Sequence, residues 1–375
     1  MRRPAVRGSG PWVRTVFVFL ALTAGAITAA AAPSYTLVDL GALTQAQVPV
    51  VRGPNLQGHV GGTGRREDAR DSGARRGLVF EAGAIPQDIE GLGDREDPTV
   101  FAINDHGVFV GSANNGTAVR AFMGSRSGGV KELPPLAGDN ASVAFGINNL
   151  GEAVGFSSGA SGERAVLWDA TGKPIALPAP AGALASRAND ISGTGDVAGV
   201  VTAAAGRLPV AWPRGQPARS LQLIPGDVAG EAFAVNARGE AAGYTANSAG
   251  TLRHAAVWAA SGEVTPLGAL PGGDSSEALG INDAGAVVGT TGSAAGHRAF
   301  VWTRSGGMRD LNSLVALTRM VLTKATGINN AGAIVAVGHE ASPHEPAGAH
   351  AHAGGPAHTH AHGPVRVFLL RPVRP

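Results

Sequence analysis

The chain predicts an all-β fold, a seven-bladed β-propeller of four-stranded antiparallel blades whose last blade is closed by an N-terminal strand. Three observations predict it. A turn motif, Asn-x-x-Gly (Ser-x-x-Gly in one unit) followed by a short apolar run, occurs seven times, with successive anchors 49, 44, 44, 44, 46 and 47 residues apart. Each motif sits among short β-favouring runs separated by turn signals, four runs per unit. The last unit stops after its third run, and a run resembling a fourth precedes the first unit.

The anchors fall in PNLQGHVGG at Asn55, INDHGVFVG at Asn104, INNLGEAVG at Asn148 and ISGTGDVAG at Ser192. The others are VNARGEAAG at Asn236, INDAGAVVG at Asn282 and INNAGAIVA at Asn329. In each unit an alternating segment such as SSEALGIN leads into the motif. A second run such as AVVGTT, a third such as RAFVW and a fourth such as MRDLNSL follow. Asn, Asp or Ser at the first position of a type I turn and Gly at the fourth are the favoured turn chemistry, which fits Asn104 with Gly107 and Ser192 with Gly195. The second glycine (Gly111, Gly155, Gly199, Gly243 or Gly289) lies within a strand, where glycine marks a bulge or a close backbone approach. Both features read as architecture, since seven near-copies of one residue do not describe one active site. Repeats of about 45 residues with four strands each suit propeller blades. YTLVDLGAL, from Tyr35, is the expected partner for VRVFLLR at residues 365–371, and that pairing would leave no open edge.

Ahead of the repeats, Arg2, Arg3, Arg7 and Arg14 precede an apolar run ending in AAAA at residues 29–32. A basic head, a short apolar middle and a small-residue exit predict a cleaved Sec-type signal peptide over residues 1–31, with the propeller spanning residues 33–375. The run is too short and too rich in Ala and Gly for a membrane span. The expected location is therefore the periplasm or the cell exterior. Removing the leader leaves 26 basic against 28 acidic residues, so the mature chain lacks the clustered basic footprint of nucleic-acid binding. With no cysteine there are no disulfides, thiol nucleophiles or thiolate ligands.

The third runs RAFVW at Arg298, RAFM at Arg120, RAVLW at Arg164 and HAAVW at His254 resemble the segments that define the HAF-repeat family of extracellular bacterial proteins, named for His-Ala-Phe. The resemblance covers essentially the whole mature chain, with Arg mostly in place of His. It implies a secreted repeat protein and carries no reaction.

Two sets of residues are candidates for chemistry. Arg76, Arg120, Arg164, His254, Arg298 and Arg366 open six of the third strands, with Leu208 breaking the series. A closed ring would set them at one height, as a basic collar for an anionic ligand, since Arg matches carboxylates and phosphates bidentately. The competing reading pairs each with an acidic group or carbonyl of a neighbouring blade, as scaffolding. The second set lies in a His-rich insertion at residues 339–363, which contains His339, His344, His350, His352, His358, His360 and His362. Imidazoles in such a tract are candidate ligands for Zn²⁺, Ni²⁺ or Cu²⁺, although no spacing dictates one geometry. That insertion and an expanded charged segment, residues 63–76, both join second to third strands in units that meet when the ring closes. They are expected side by side on one face, where rigid scaffolds commonly carry binding residues.

No nucleophile elbow, zincin motif or phosphate-binding loop is present. The sequence reads as a monomeric, secreted, non-enzymatic propeller that binds an extracellular ligand or protein through one loop face. The alternatives are a polymer-degrading hydrolase or lyase and divalent-metal capture by the His-rich loop.

Overall fold

The computed structural model describes residues 34–43, 51–64, 76–89, 92, 97–293, 296–341 and 365–373. The leader at residues 1–31, residues 65–75 and all of the His-rich insertion beyond Ala341 lie outside the described residues. Residues 33–375 form one compact unit of seven four-stranded antiparallel sheets. Blades one to six occupy residues 51–89, 99–133, 139–176, 183–220, 229–266 and 275–310. Blade seven pairs Met320–Ile328, Ile334–Glu340 and Val365–Pro372 with Tyr35–Leu43 as its outermost strand. Thr36 faces Arg371 and Ala42 faces Arg366 in that closing pair. The ring is closed as its sequence requires.

The first strands of blades two to seven carry a bulge shortly before the anchor, and the second-strand glycine explains why. In blade three the register shifts between Ala144 and Gly146, where Gly155 pairs with Ala144. A Cβ on Gly155 would lie 1.9 Å from the Val143 carbonyl oxygen. The same contact would measure 1.9–2.0 Å at Gly111, Gly199, Gly243 and Gly289. Only glycine lets the bulged first strand lie this close. The turns are likewise as the sequence implies: Gly107 has φ 74° and donates its N–H to Asn104 O at 3.0 Å.

The anchor asparagines do more than shape turns. Asn282 Oδ1 accepts the N–H groups of Ala284 and Ala286, while its Nδ2 donates to Asn329 O of the next blade at 3.1 Å. Asn55, Asn104, Asn148, Asn236 and Asn329 make the same forward bond, Asn329 returning to Asn55 O at 2.8 Å. The result is a belt of side-chain bonds running around the axis. Ser192, too short to reach, opens the belt between blades four and five.

Other junctions are fastened farther out. Ser142, Ser186 and Ser276 each accept a backbone N–H from the third strand of the preceding blade, at Ala121, Ala165 and Ala255. The indoles of Trp168, Trp212 and Trp258 donate to the carbonyls of Pro134, Pro178 and Gln222 at 2.6–2.7 Å. Between the blades lie apolar layers, such as Val154, Ala165, Ala188, Ile191, Val197 and Val210 between blades three and four. Among the described residues no helix is long and apolar enough to cross a membrane.

Candidate functional site: the axis and its two ends

The first strands place three tiers of side chains toward the axis. One residue before each anchor stand Pro54, Ile103, Ile147, Ile191, Val235, Ile281 and Ile328, which line an axial cavity of about 230 Å³ at the end carrying the Asn turns. Three before stand Arg52, Phe101, Phe145, Asn189, Phe233, Leu279 and Thr326. Five before stand Thr99, Val143, Arg187, Glu231, Glu277 and Lys324. The apolar tier thus gives way to a charged one toward the opposite end, where second-to-third-strand loops and interblade connections emerge.

Charge in this inner tier is arranged by a rule the sequence reading missed. Glu163, Arg207 and Arg253, near the starts of third strands, each pair with a residue 24 positions on, in the first strand of the next blade. The pairs are Glu163–Arg187 at 2.8 Å, Arg207–Glu231 at 2.7 Å and Arg253–Glu277 at 2.6 Å. Aromatic faces flank them: Arg187 lies 5.0 Å from the Phe156 ring centre, and Arg253 lies 4.5 Å from that of Tyr244.

At the open point of the Asn belt the axial residues deviate most. Two positions before the anchor the other units have Gly53, Ala102, Gly146, Ala234, Gly280 and Gly327, but blade four has Asp190. Its carboxylate accepts the Val235 N–H at 3.0 Å, while Asn189 Nδ2 donates to Ala232 O and Glu231 Oε1. Arg52 reaches from blade one to the Asn189 carbonyl at 3.5 Å, crossing the axis. Burial pushes the Asp190 carboxyl up to about 6 and the Arg52 guanidinium down, the latter opposed by Asp190 and Glu231. Burial also lowers Lys324, against the attraction of Glu277. Lining up the seven first strands would have exposed Asp190 as the odd residue; the reading by turn motifs did not.

The basic collar is distributed rather than convergent. Arg120 pairs with Glu132 at 3.0 Å, Arg164 with Asp139 at 2.8 Å, His254 with Asp227 at 2.8 Å and Arg366 with Asp39 at 2.5 Å. Arg76 pairs more loosely with Asp88, at 3.4 Å. These acidic partners lie in the residue's own blade or, for Asp227, in the segment leading into it, while Arg120 Nη1 also donates to the Asn140 carbonyl of blade three, the neighbouring-blade pairing expected from sequence. Arg298, on blade six, is placed equivalently.

The Asp227 cluster superficially offers a hydroxyl, an imidazole and a carboxylate. Thr245 Oγ1, however, bonds the same Asp227 carboxylate as His254 Nδ1 instead of the far ring nitrogen a proton relay needs. Blade three repeats the arrangement with Ser157, Asp139 and Arg164. An arginine cannot relay protons there, so these positions fasten the blade.

At the loop end, four large apolar side chains are exposed at strand ends: Val119 on blade two, Leu184 on blade four, and Val228 and Leu252 on blade five. The metal-ligand candidates His344, His350, His352, His358, His360 and His362 lie outside the described residues. Among the described residues no cluster of three His, Asp or Glu side chains is placed to hold a metal ion.

No family model matches the chain, and no curated protein matches it either. Solved structures do. A streptogramin B lyase structure aligns with a TM-score of 0.53 at 11% identity, over 90% of this chain and 98% of that one. Virginiamycin B lyase from Staphylococcus aureus aligns at 0.54 and 11%, over 90% and 100%. TolB from Acinetobacter baumannii gives 0.44 at 15% identity, over 63% of this chain, which spans 59% of TolB. At such identity the two lyases share its propeller fold and nothing finer follows.

Proposed function

We propose that this protein is a secreted, non-catalytic propeller that takes an extracellular ligand or protein partner on its loop face. The observation that carries the reading is the apolar set on blades four and five, where Leu184 is 69% and Val228 47% exposed, at the same end of the ring as the half-exposed guanidinium groups of Arg207 and Arg253. Exposed apolar groups among arginines have the composition of recognition surfaces. A binding role also accords with how the carboxylates of the charged tier are used. Glu231 and Glu277 are each held by an arginine, and Asp190 by a backbone N–H.

The rival hydrolase or lyase reading has one observation in its favour, the raised Asp190 carboxyl in the axial cluster. The two are separated by substitutions on opposite faces. Leu184→Glu with Val228→Glu should abolish retention of the native partner from extracellular extract. Leu56→Glu with Leu150→Glu, on the Asn-turn face, should not. Equal losses from both pairs would refute loop-face binding, and a turnover activity abolished by Asp190→Asn would establish the enzyme instead.

A further inference from the structure

The cavity at the Asn-turn end is a second, separate site. We infer that it binds a small organic cation, an ammonium group on a short apolar stem. This goes beyond the loop-face reading, because the cup opens on the opposite end of the axis and shares no residue with it.

The floor is apolar because every unit places a β-branched residue or proline before its anchor; Ile103, Ile147, Ile191, Val235, Ile281 and Ile328 converge there. The Asn belt above the floor has already used its polar groups, Nδ2 on a carbonyl and Oδ1 on backbone N–H groups. What remains available is the rim, one residue beyond the anchors. Asp105 and Asp283 stand there on blades two and six, far apart around the ring.

Each carboxylate is aimed by two donors. Asp105 accepts Leu56 N at 2.7 Å and Asn149 Nδ2 at 2.6 Å, and Asp283 accepts Ala237 N at 2.8 Å and Asn330 Nδ2 at 2.6 Å. These donors are all neutral, so both negative charges are oriented at the mouth without a cationic partner among the described residues. Arg238, nearby, is held by Glu240 through Nε and Nη2, and meets Asp283 only at its main-chain carbonyl. Arg304 and Arg214 are likewise committed, to Glu240 and Glu152.

A cup of about 230 Å³ with an apolar floor under a polar wall of Asn, Asp and Ser is smaller than a drug-sized pocket, which sets the ligand at fragment size. An anion would meet two fixed carboxylates, and a neutral alcohol would bring no charge to offset either. A protonated amine instead places its apolar stem on the isoleucine floor and its N–H donors on the rim, where hydrogen bonds to charged groups are the stronger kind. Leu56, which lines the mouth and is exposed, extends the apolar contact outward.

The test uses the full mature chain with isoleucine δ-methyl NMR, since Ile103, Ile147 and Ile281 report from the floor itself. n-Butylammonium should shift these resonances saturably, while n-butyrate and 1-butanol should not. Asp105→Asn combined with Asp283→Asn, each keeping an acceptor for its backbone N–H, should weaken the amine by about tenfold. A gain-of-function variant guards against misfolding. Gly193 occupies the rim position of blade four, and a Cβ there would meet nothing within 4 Å. Gly193→Asp should add a third carboxylate and tighten the amine several-fold. Equal shifts with butanol, unchanged affinity in the double aspartate variant, or no saturable shift with n-butylammonium would each overturn the proposal.

Discussion

Replacing Asn282 with alanine tests the belt of anchor asparagines. The substitution removes three hydrogen bonds at once: Ala284 N and Ala286 N lose their acceptor, and Asn329 O loses a donor from the preceding blade. At about 1 kcal/mol net per bond, and more where a buried N–H is left unmet, the loss should be about 3 kcal/mol. Ser192→Ala is the matched control in the same turn position. Ser192 accepts Asp196 N and exchanges a hydroxyl bond with Thr194 but donates nothing across the junction, so its removal should cost about 1 kcal/mol. Asn282→Asp separates the two parts, because it keeps the local acceptor and abolishes the cross-blade donor. Urea unfolding followed by tryptophan fluorescence reads all three as midpoint shifts at constant slope. If Asn282→Ala and Ser192→Ala shifted the midpoint equally, the cross-blade bonds would add nothing and the belt would be incidental.

Further outcomes follow from the same structure. Gly155→Ala, whose Cβ would sit 1.9 Å from a backbone oxygen, should destabilise by about 3 kcal/mol or more, whereas Gly107→Ala has open space around its Cβ and should lose only about 1–2 kcal/mol for its positive φ; thermal melts compare them. Asp190 holds its proton more tightly folded than unfolded, being pushed up to about 6. Its contribution is therefore full below the ordinary carboxylate value and is lost as pH rises through about 6. Asp190→Asn should accordingly flatten the fall in melting temperature between about pH 4 and pH 7, and an unchanged slope would refute the assignment. Deleting residues 35–43 strips Val365–Pro372 of its outer partner and should shift the elution profile towards aggregates.

The turn chemistry made the fold legible. Asn-x-x-Gly states a tight turn, its spacing states a blade, and YTLVDLGAL ahead of the first unit states how the ring closes. Contacts that join one repeat to the next were less visible. Nothing in the spacing from Asn282 to Asn329 says that one side chain bonds the other's carbonyl, since that depends on how blades are inclined about the axis. The collar residues Arg164, His254 and Arg366 showed the same limit. Their acidic partners Asp139, Asp227 and Asp39 lie 25, 27 and 327 positions away, a proximity created only by the folded connections. Asp190 was legible in principle, as the one charged residue in a column of Gly and Ala. The turn motif does not reveal it, because that motif marks only the positions where the units agree. The loop-face apolar residues carry no motif at all, and their exposure emerges only once the strand ends are placed.

Site-specific photo-crosslinking tests the functional reading most directly. A benzophenone side chain would replace Leu184 or Val228 on the loop face, and Leu56 or Leu150 on the Asn-turn face, in otherwise native mature protein exposed to extracellular extract. The account predicts one discrete macromolecular adduct from positions 184 and 228 and none from 56 and 150. Adducts from the Asn-turn positions alone would contradict it.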